Sequence, residues 1–584
     1  MIEKFTKGGI YMNDINKLYS LWREKATEKE VLDELISVEG NEKEILDRFW
    51  QNLTFGTGGL RGVIGAGTNR MNVYTVSQAT QGLSDYLNEA FEKPSVAVGY
   101  DSRINSDKFA RAAASVLAAN GIKVYIFKEL MPTPIVAYAV KELSCSSGIV
   151  ITASHNPSKY NGYKCYDERG YQMTDEAAAR TLDYINKCDI FEDVKTCDFE
   201  KAVEEGTIEY IEEGFLDKYF ELVLSRSINP EIAENTDLSV IYTPLNGTGN
   251  KPVRRILSMM GIKDVTVVPV QENPDGRFPT CSFPNPEIRE AFNEALKLAE
   301  NKKADLLLAT DPDCDRVGIA VLTDGEYKLM TGNDVGCMLV DYILSQKKEK
   351  GTLAEKPVIV KSIVSSDLST MVAESYGAEM RNVLTGFKYI GELMTELQEK
   401  GEENRFELGF EESYGYLSGM HTKDKDAVNA SMLICEMAAY YKEKGLTLVD
   451  VMRSLHERFG FWNNALFNFG FEGADGMLKM LSMMDGLRTC APASLGGKAV
   501  AVVEDYKTGV SLDVKTGEKT ALNYPSSNVI ILILENRDKV IIRPSGTEPK
   551  IKIYTMAQGK DEAEATAQTE KYKTDIMKVL GIGE

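Results

Sequence analysis

One pattern recurs along this chain and constrains its fold more than any other. A short apolar run reads as a strand and ends in a polar or glycine-rich loop. It appears at VAVGYDSR (96–103), SGIVITASHNP (147–157), LSVIYTPLNGTG (238–249), ADLLLATDPDCD (304–315) and PVIVKSIVSS (357–366). Between these runs lie amphipathic stretches. SVAVGYD (95–101) reads as a buried strand, DKFARAAASVLAAN (107–120) as a helix closed by Gly121, and IKVYIF (122–127) as the next strand. Strands alternating with helices at this spacing predict an α/β chain of parallel, doubly wound sheets. Such sheets bind ligands at the loops beyond the carboxyl ends of their strands.

The length, 584 residues, exceeds what one hydrophobic core serves, and the soft expectation is three to five domains. The first fifty residues are charged and helix-like, a preface to the first domain. Beyond about Val502 the texture changes: NVIILILEN, DKVIIRPSG and KIKIYTMA read as β-rich and partly antiparallel, followed by the helix DEAEATAQTEKYKTDIMKVL. The reading is three similar doubly wound α/β domains over 1–205, 206–325 and 326–460, and a smaller C-terminal α+β domain over 461–584.

Composition excludes several classes. A net charge of −21 repels nucleic acid and anionic membranes at long range. A small phosphorylated ligand stays possible, because distant carboxylates are screened within roughly 8 Å at physiological salt. The nine cysteines show no C-x-x-C pair and no framework spacing, which fits reduced thiols in a cytoplasmic protein. The N-terminal stretch lacks the apolar run of a signal peptide, and the purest apolar stretch, Val529 to Leu534, is too short to span a membrane.

Four loops carry candidate chemistry. In T-A-S-H-N-P (152–157), Ser154 and His155 leave a strand where a hydroxyl can face a cleft, and Pro157 stops the strand; a plain surface turn is the competing reading. In D-P-D-C-D-R (311–316), Asp311, Asp313 and Asp315 can converge on one hard cation, since close carboxylates repel one another without one. An EF-hand is excluded, with Arg316 where the loop needs glycine and Leu322 where it needs glutamate. In G-F-E-E-S-Y-G (409–415), followed by H-T-K-D-K-D (421–426), a carboxylate and a hydroxyl between glycines suit sugar hydroxyls, although a solvated turn suits them equally. In R-P-S-G-T-E-P-K (543–550), a capping box at Ser545 and Glu548 is undercut by Pro549 and by the strand-like IKIYTMA, so a phosphate nest is preferred. A Walker A loop is absent.

In this order and at these separations, from FGTGGLRG (55–62) to RPSGTEPK, the loops resemble the α-D-phosphohexomutase superfamily. The TGFKYIGE (385–392) and TPLNGTGNKPV (243–253) segments resemble its phosphoglucomutase and phosphopentomutase branch. The resemblance implies four domains around a central cleft, each giving one loop. It implies a phosphoserine at Ser154, beside His155, and one Mg²⁺ held by Asp311, Asp313, Asp315 and a phosphoserine oxygen. Arg61 and Lys164 match basic residues near the phosphoserine, with Lys164 the candidate proton carrier. Substrate contacts are implied for Arg316, for Thr385 and Gly386, for the sugar-gripping Glu411 and Ser413, and for His421 and Lys425 beside them. Arg543, Ser545, Gly546 and Thr547 match the site of the non-reacting phosphate; its distance along the chain from the aspartate loop, and the change of texture, place that loop on a mobile lid. Pro312 and Cys314 depart from the commoner D-G-D-G-D-R, with the aspartate spacing kept.

The implied reaction converts α-D-glucose 1-phosphate and glucose 6-phosphate through glucose 1,6-bisphosphate, which also primes the enzyme. Phosphopentomutase or phosphomannomutase activity is the alternative. A haloacid-dehalogenase-type phosphatase, suggested by Asp313-Cys314-Asp315-Arg316-Val317, would leave TASHNP and RPSGTEPK without a role; an inactive phosphosugar sensor would leave the reactive residues unused. The expected partner is a small phosphosugar alone, with no nucleic acid or membrane, and the chain is expected as a monomer or weak dimer.

Overall fold

The computed structural model describes residues 12–56, 58–471, 473–545 and 550–582. The chain divides into two compact units. The first comprises 1–330, 390–406 and 414–444; the second comprises 331–389, 407–413 and 445–584.

The first unit holds two sheets. Strands β1 (Gly59–Val63), β2 (Ser95–Tyr100), β3 (Lys123–Ile126), β4 (Ser147–Ile151), β5 (Tyr160–Asp167) and β6 (Ile208–Tyr210) lie in the order β1-β5-β4-β2-β3-β6. Strands β7 (Ser239–Thr243), β8 (Asp264–Val267), β9 (Leu306–Thr310), β10 (Val317–Thr323) and β11 (Glu326–Met330) lie in the order β11-β10-β9-β7-β8. The largely apolar strands β4 and β9 are buried at every position, as strands covered on both faces must be.

The expectation of parallel sheets holds for only part of each. β2, β3, β4 and β6 run parallel, and so do β7, β8 and β9. β5 and β10, however, return antiparallel to β4 and β9. The reason lies in the connections: 152–159 and 311–316 are too short to hold the crossover that a parallel return demands. The serine loop and the aspartate loop are therefore reverse connections between adjacent strands.

Helices flank these sheets. Val73–Ala90 begins at a capping box of Asn72 and Thr75. Ser106–Ala119 begins one residue earlier than the pattern predicts and turns its Phe109, Ala110, Ala113, Ala114 and Leu117 stripe into the core with Val96, Val98 and Ile149. The charged preface forms helices Met12–Lys25, Lys29–Ser37 and Glu42–Phe49, packed around Trp22 and Phe49.

The second unit holds β12 (Val358–Ser362) parallel to β13 (Glu379–Val383), with β14 (Phe406–Glu411) beside β12. Its C-terminal sheet is antiparallel and larger than the sequence pattern suggests, because it begins at Phe461–Gly470, which pairs along its length with Lys550–Gly559. Helix Glu562–Leu580 covers it, capped by Asp561 and ended by Gly581. Ile363, Val364 and Leu384 share an apolar cluster with Ile541, Tyr554 and Met556, which joins the two sheets of this unit. Among the described residues all nine cysteines are free, and no helix is long and apolar enough to cross a membrane.

Candidate active site

Ser154 sits just past the end of β4 with φ +51°, the left-handed conformation that a serine rarely adopts. Two bonds hold it there. Its N–H donates to Thr152 Oγ1 at 2.8 Å, and Thr152 Oγ1 donates to Asp101 Oδ2 at 2.7 Å. Arg103 then takes four carbonyls of the loop and the strand that follows it. Its guanidinium donates to the carbonyls of Ser154 and Asn156, and to those of Pro157 and Tyr160 at 3.0 Å each. Arg103 pairs with Asp101, Nε to Oδ2, at 3.2 Å, and both side chains are fully buried. Asp101 also accepts from the Arg103 N–H and from Ser106 Oγ. This buried pair shapes the serine loop.

The Ser154 hydroxyl, almost fully buried, donates to Asp311 Oδ2 at 2.8 Å and lies 3.2 Å from His155 Nδ1. Burial, reinforced by the charges of Arg316 and Arg61, pushes His155 well below the ordinary imidazole range, so the ring is neutral near pH 7. Arg61 lies on β1, whose backbone pairs it with Gly162 of β5.

The loop 311–316 folds back on itself. Asp311 Oδ1 accepts from the N–H groups of Asp315 and Arg316, and Cys314 takes φ +53°. Asp311, Asp313 and Asp315 are buried, and each offers an oxygen within 4.8 Å of the others. Asp313 Oδ2 accepts from Thr133 Oγ1 at 2.8 Å, and Lys164 Nζ lies 2.7 Å from Asp313 and 2.9 Å from Asp315. Lys425 reaches Asp315 at 3.0 Å. Burial and the charges of Asp313 and Asp315 push Asp311 well above the carboxylate range. Burial pushes Asp313 up as well, but Lys164 outweighs it and holds that group low. Burial pulls Lys164 down, yet Asp313 and Asp315 outweigh this and keep it charged. Asp313 Oδ1 and Asp315 Oδ1 are buried without a hydrogen-bond partner among the described residues. Buried carboxylate oxygens left open in this way fit a hard, oxygen-seeking divalent cation.

The TPLNGTG segment packs directly against this loop. Thr248 N–H donates to the Pro312 carbonyl at 2.8 Å, and a Cβ on Gly247 would stand 2.4 Å from Pro312 Cα. Only glycine permits that approach.

Arg316 reaches Glu287. His421 is tied by Nε2 to Asp426 Oδ2 at 2.8 Å, and Asp426 also accepts from Tyr219 OH and caps helix Ala427–Glu443. Tyr166 OH donates to Asp424 at 2.6 Å.

In the second unit, Glu411 ends β14 and accepts the Gly386 N–H on Oε1 at 2.8 Å; Gly386 has φ +123°. Thr385 and Gly386 are thereby brought against Glu411. Ser413 is half-buried two residues on. Arg543 lies on Lys539–Pro544, and its charge, with those of Glu412 and Glu411, acts on buried Tyr554. Ser545 N–H donates to the Lys550 carbonyl at 2.7 Å; Gly546 and Thr547 lie outside the described residues.

Sequence reasoning missed Asp101, Arg103, Thr133, Tyr166, Asp424 and Tyr554. For the first pair the sequence does carry a signal: VAVGYDSR is one of the recurring strand–loop units.

Family models now decide the relationship. Phosphoglucomutase/phosphomannomutase alpha/beta/alpha domains I, II and III match residues 52–189, 217–325 and 331–459, and the C-terminal domain of the same family matches 500–571. The chain belongs to this family. A phosphoglucomutase of Staphylococcus saprophyticus is 36% identical over 552 residues, covering 94% of this chain and 98% of the relative. This places the chain in the α-D-phosphohexomutase superfamily, on the phosphoglucomutase branch, as an isomerase of the mutase type. The solved parafusin (phosphoglucomutase) of Paramecium shares the fold at TM-score 0.66 and 17% identity, covering 91% of this chain and 96% of that one. An N-acetylphosphoglucosamine mutase variant of Aspergillus fumigatus, solved with glucose 1,6-bisphosphate, aligns at TM-score 0.50 and 14% identity, covering 97% and 98%.

Proposed function

We propose that this mutase interconverts α-D-glucose 1-phosphate and glucose 6-phosphate, with Ser154 as the phosphate carrier and glucose 1,6-bisphosphate as the intermediate. The observation that carries the reading is the bond from Ser154 Oγ to Asp311 Oδ2 within a buried cluster of three aspartates. A phosphoryl group on Oγ would lie directly beside those carboxylates, which is tolerable only with a cation between them. Asp311, Asp313 and Asp315, with a phosphoserine oxygen, would hold Mg²⁺. When bound, the ion neutralises charge on the transferring oxygens.

The chain's own residues do the rest. In the first half-reaction the P–Oγ bond of phosphoserine breaks as a sugar hydroxyl attacks phosphorus, and that hydroxyl's proton passes to Oγ. Lys164, charged and close to the aspartate loop, and His155, neutral with Nδ1 3.2 Å from Oγ, carry it. The second half-reaction reverses these bonds with the other phosphate of the bisphosphate. Arg103 and Asp101 hold the serine loop so that Oγ keeps one position through both. Arg61 and Arg316 add positive charge beside the transferring group. Glu411 and Ser413, with Thr385 and Gly386, take sugar hydroxyls; His421 and Lys425 frame the 421–426 loop, Lys425 against Asp315. Arg543, Ser545, Gly546 and Thr547 take the non-reacting phosphate, for which the planar guanidinium fork is suited. The enzyme works in the cytoplasm, as a monomer or weak dimer, over the domains 1–205, 206–325, 326–460 and 461–584.

The test is turnover of glucose 1-phosphate against ribose 1-phosphate and mannose 1-phosphate, each with its bisphosphate primer. Preference for glucose 1-phosphate supports the assignment; preference for either other sugar moves the chain to that activity.

A further inference from the structure

A second basic cluster lies in the first unit, away from the serine loop. It lines a cavity of ≈ 350 Å³ walled by Lys141, Ser144, Cys145, Glu168, Arg169, Gln398 and Lys423. Its place in the first sheet is clear from the strands. Ser154 follows the carboxyl end of β4, whereas Ser144 and Cys145 precede the start of β4, and Glu168 and Arg169 follow the end of antiparallel β5. The cavity and the serine loop therefore occupy opposite ends of the same pair of strands.

Three cations and one carboxylate line this space, and the Asp167, Glu142 and Glu399 carboxylates lie near enough to act on the two lysines. Lys141 Nζ donates to the Met420 carbonyl at 2.8 Å and Lys423 Nζ to Thr395 Oγ1 at 2.6 Å. Neither ammonium forms an ion pair among the described residues, although Lys423 is almost fully buried. Arg169 is half-exposed and is 3.6 Å from Glu168, and its Nη1 donates to Tyr171 OH. Burial, reinforced by the charge of Lys141, brings Lys423 down to about 8, so the cluster holds its charges at a cost. In a chain with a net charge of −21, three basic side chains gathered on one recess are the groups an anionic ligand would meet there.

Two segments link this cavity to the aspartate loop. On β5, Lys164 binds Asp313 and Asp315, and the same strand runs on to Glu168 and Arg169. On the 421–426 loop, Lys423 lines the cavity and Lys425 binds Asp315. The bond from Tyr166 OH to Asp424 ties the two segments together midway.

We propose that this cavity is a regulatory site for a small phosphate-bearing anion, and that its occupation changes turnover through Lys425 and Lys164. Two ammonium groups, a guanidinium fork and the Ser144 hydroxyl are the donors a phosphate dianion needs, and the volume admits the organic part of a phosphorylated metabolite. Binding would draw Lys423 and Arg169 toward the anion and shift the segments that carry the two lysines on the aspartate loop.

Inorganic phosphate is the probe. Initial rates are measured over glucose 1-phosphate from below KM to saturation, at several phosphate concentrations, with free Mg²⁺ and ionic strength held constant. Competition at the active site raises apparent KM alone. The regulatory site predicts an additional change in kcat at saturating substrate. That component should need at least about fivefold more phosphate in Arg169→Met and in Lys141→Met, with kcat and KM unchanged when phosphate is absent. Arg169→Lys, which keeps the charge, should retain most of it. Should Lys141→Met fail to fold, Arg169→Met decides alone, since its side chain is half-exposed. Purely competitive behaviour in the wild type, or a kcat component that persists unchanged in the Arg169→Met variant, overturns the proposal.

Discussion

Arg103 grips the carbonyl oxygen of Ser154, and with it those of Asn156, Pro157 and Tyr160, from a fully buried position paired with Asp101. One guanidinium thus binds four carbonyls of the serine loop and the start of β5. Lys cannot copy this fork, since it offers a point charge in place of a planar set of donors. Arg103→Lys should lower kcat by on the order of a hundredfold while leaving KM within a few-fold, because it is the position of Oγ that is lost. Arg103→Met should also cost about 3 kcal/mol of stability, as it strands Asp101 without its partner. Steady-state kinetics and urea denaturation read the two effects separately. An Arg103→Lys enzyme with wild-type kcat would remove Arg103 from the account.

The aspartate loop should be stabilised by its ion. Mg²⁺ that binds only the folded chain adds about 2.7 kcal/mol at a hundred times its Kd. Wild-type enzyme should therefore melt higher as Mg²⁺ is added. Asp311→Asn, Asp313→Asn and Asp315→Asn should each lose most of that rise and most of their activity, since each removes one charged ligand of a small set. Thermal denaturation across a Mg²⁺ series checks this. An undiminished rise in all three variants would place the ion elsewhere.

Gly247 lets the TPLNGTG segment touch Pro312. Gly247→Ala places a Cβ 2.4 Å from Pro312 Cα, so the loop must shift. The expected result is a loss of roughly 1–3 kcal/mol and a raised Mg²⁺ requirement. Activity against Mg²⁺ concentration distinguishes this from simple destabilisation, which would lower activity at every concentration alike.

Much of this arrangement was legible in the residues. The apolar runs at 147–151 and 306–310 marked the strands, and the D-x-D-x-D spacing and the Ser-His-Asn-Pro turn marked the loops that follow them. What was not legible was pairing over long separations. Nothing local says that Arg103 bonds to Ser154, or that Thr133 donates to Asp313; the first contact needs two strands of one sheet to end side by side, and the second needs a helix start beside the first sheet to meet a loop of the second. The antiparallel return of β5 and β10 was also hidden, since a single apolar run carries no direction. The strand Phe461–Gly470 was missed because its pairing with Lys550–Gly559 lies far along the chain and its side chains are only half-buried. The bond from Lys425 to Asp315 is likewise absent from any local pattern.

Asp167, at the end of β5, carries a pH dependence of stability. Burial, with the neighbouring Glu168 charge, raises its pKa from 3.8 to about 7. The folded chain then binds more protons at this site than the unfolded chain does between those values. Stability must fall as pH rises through that window and level off above about 7. Asp167→Asn keeps an oxygen for the Arg169 N–H and removes the ionisation. It should be more stable than wild type at pH 8 by on the order of 2 kcal/mol, with no such gain at pH 4. Denaturant midpoints at the two pH values test the sign. A larger gain at pH 4 than at pH 8 would contradict it.

The proposed mechanism stands on Ser154 as the carrier of the phosphoryl group. It is tested most directly by incubating the enzyme with radiolabelled glucose 1,6-bisphosphate, followed by proteolysis and mapping of the labelled peptide by mass spectrometry. The prediction is acid-stable label on the peptide containing Ser154, and none on the Ser154→Ala protein, which should also lose nearly all turnover while remaining folded. Hydroxylamine-labile label on the peptide containing Asp313 would contradict it, since that would make an aspartate the nucleophile and leave the serine loop without its role.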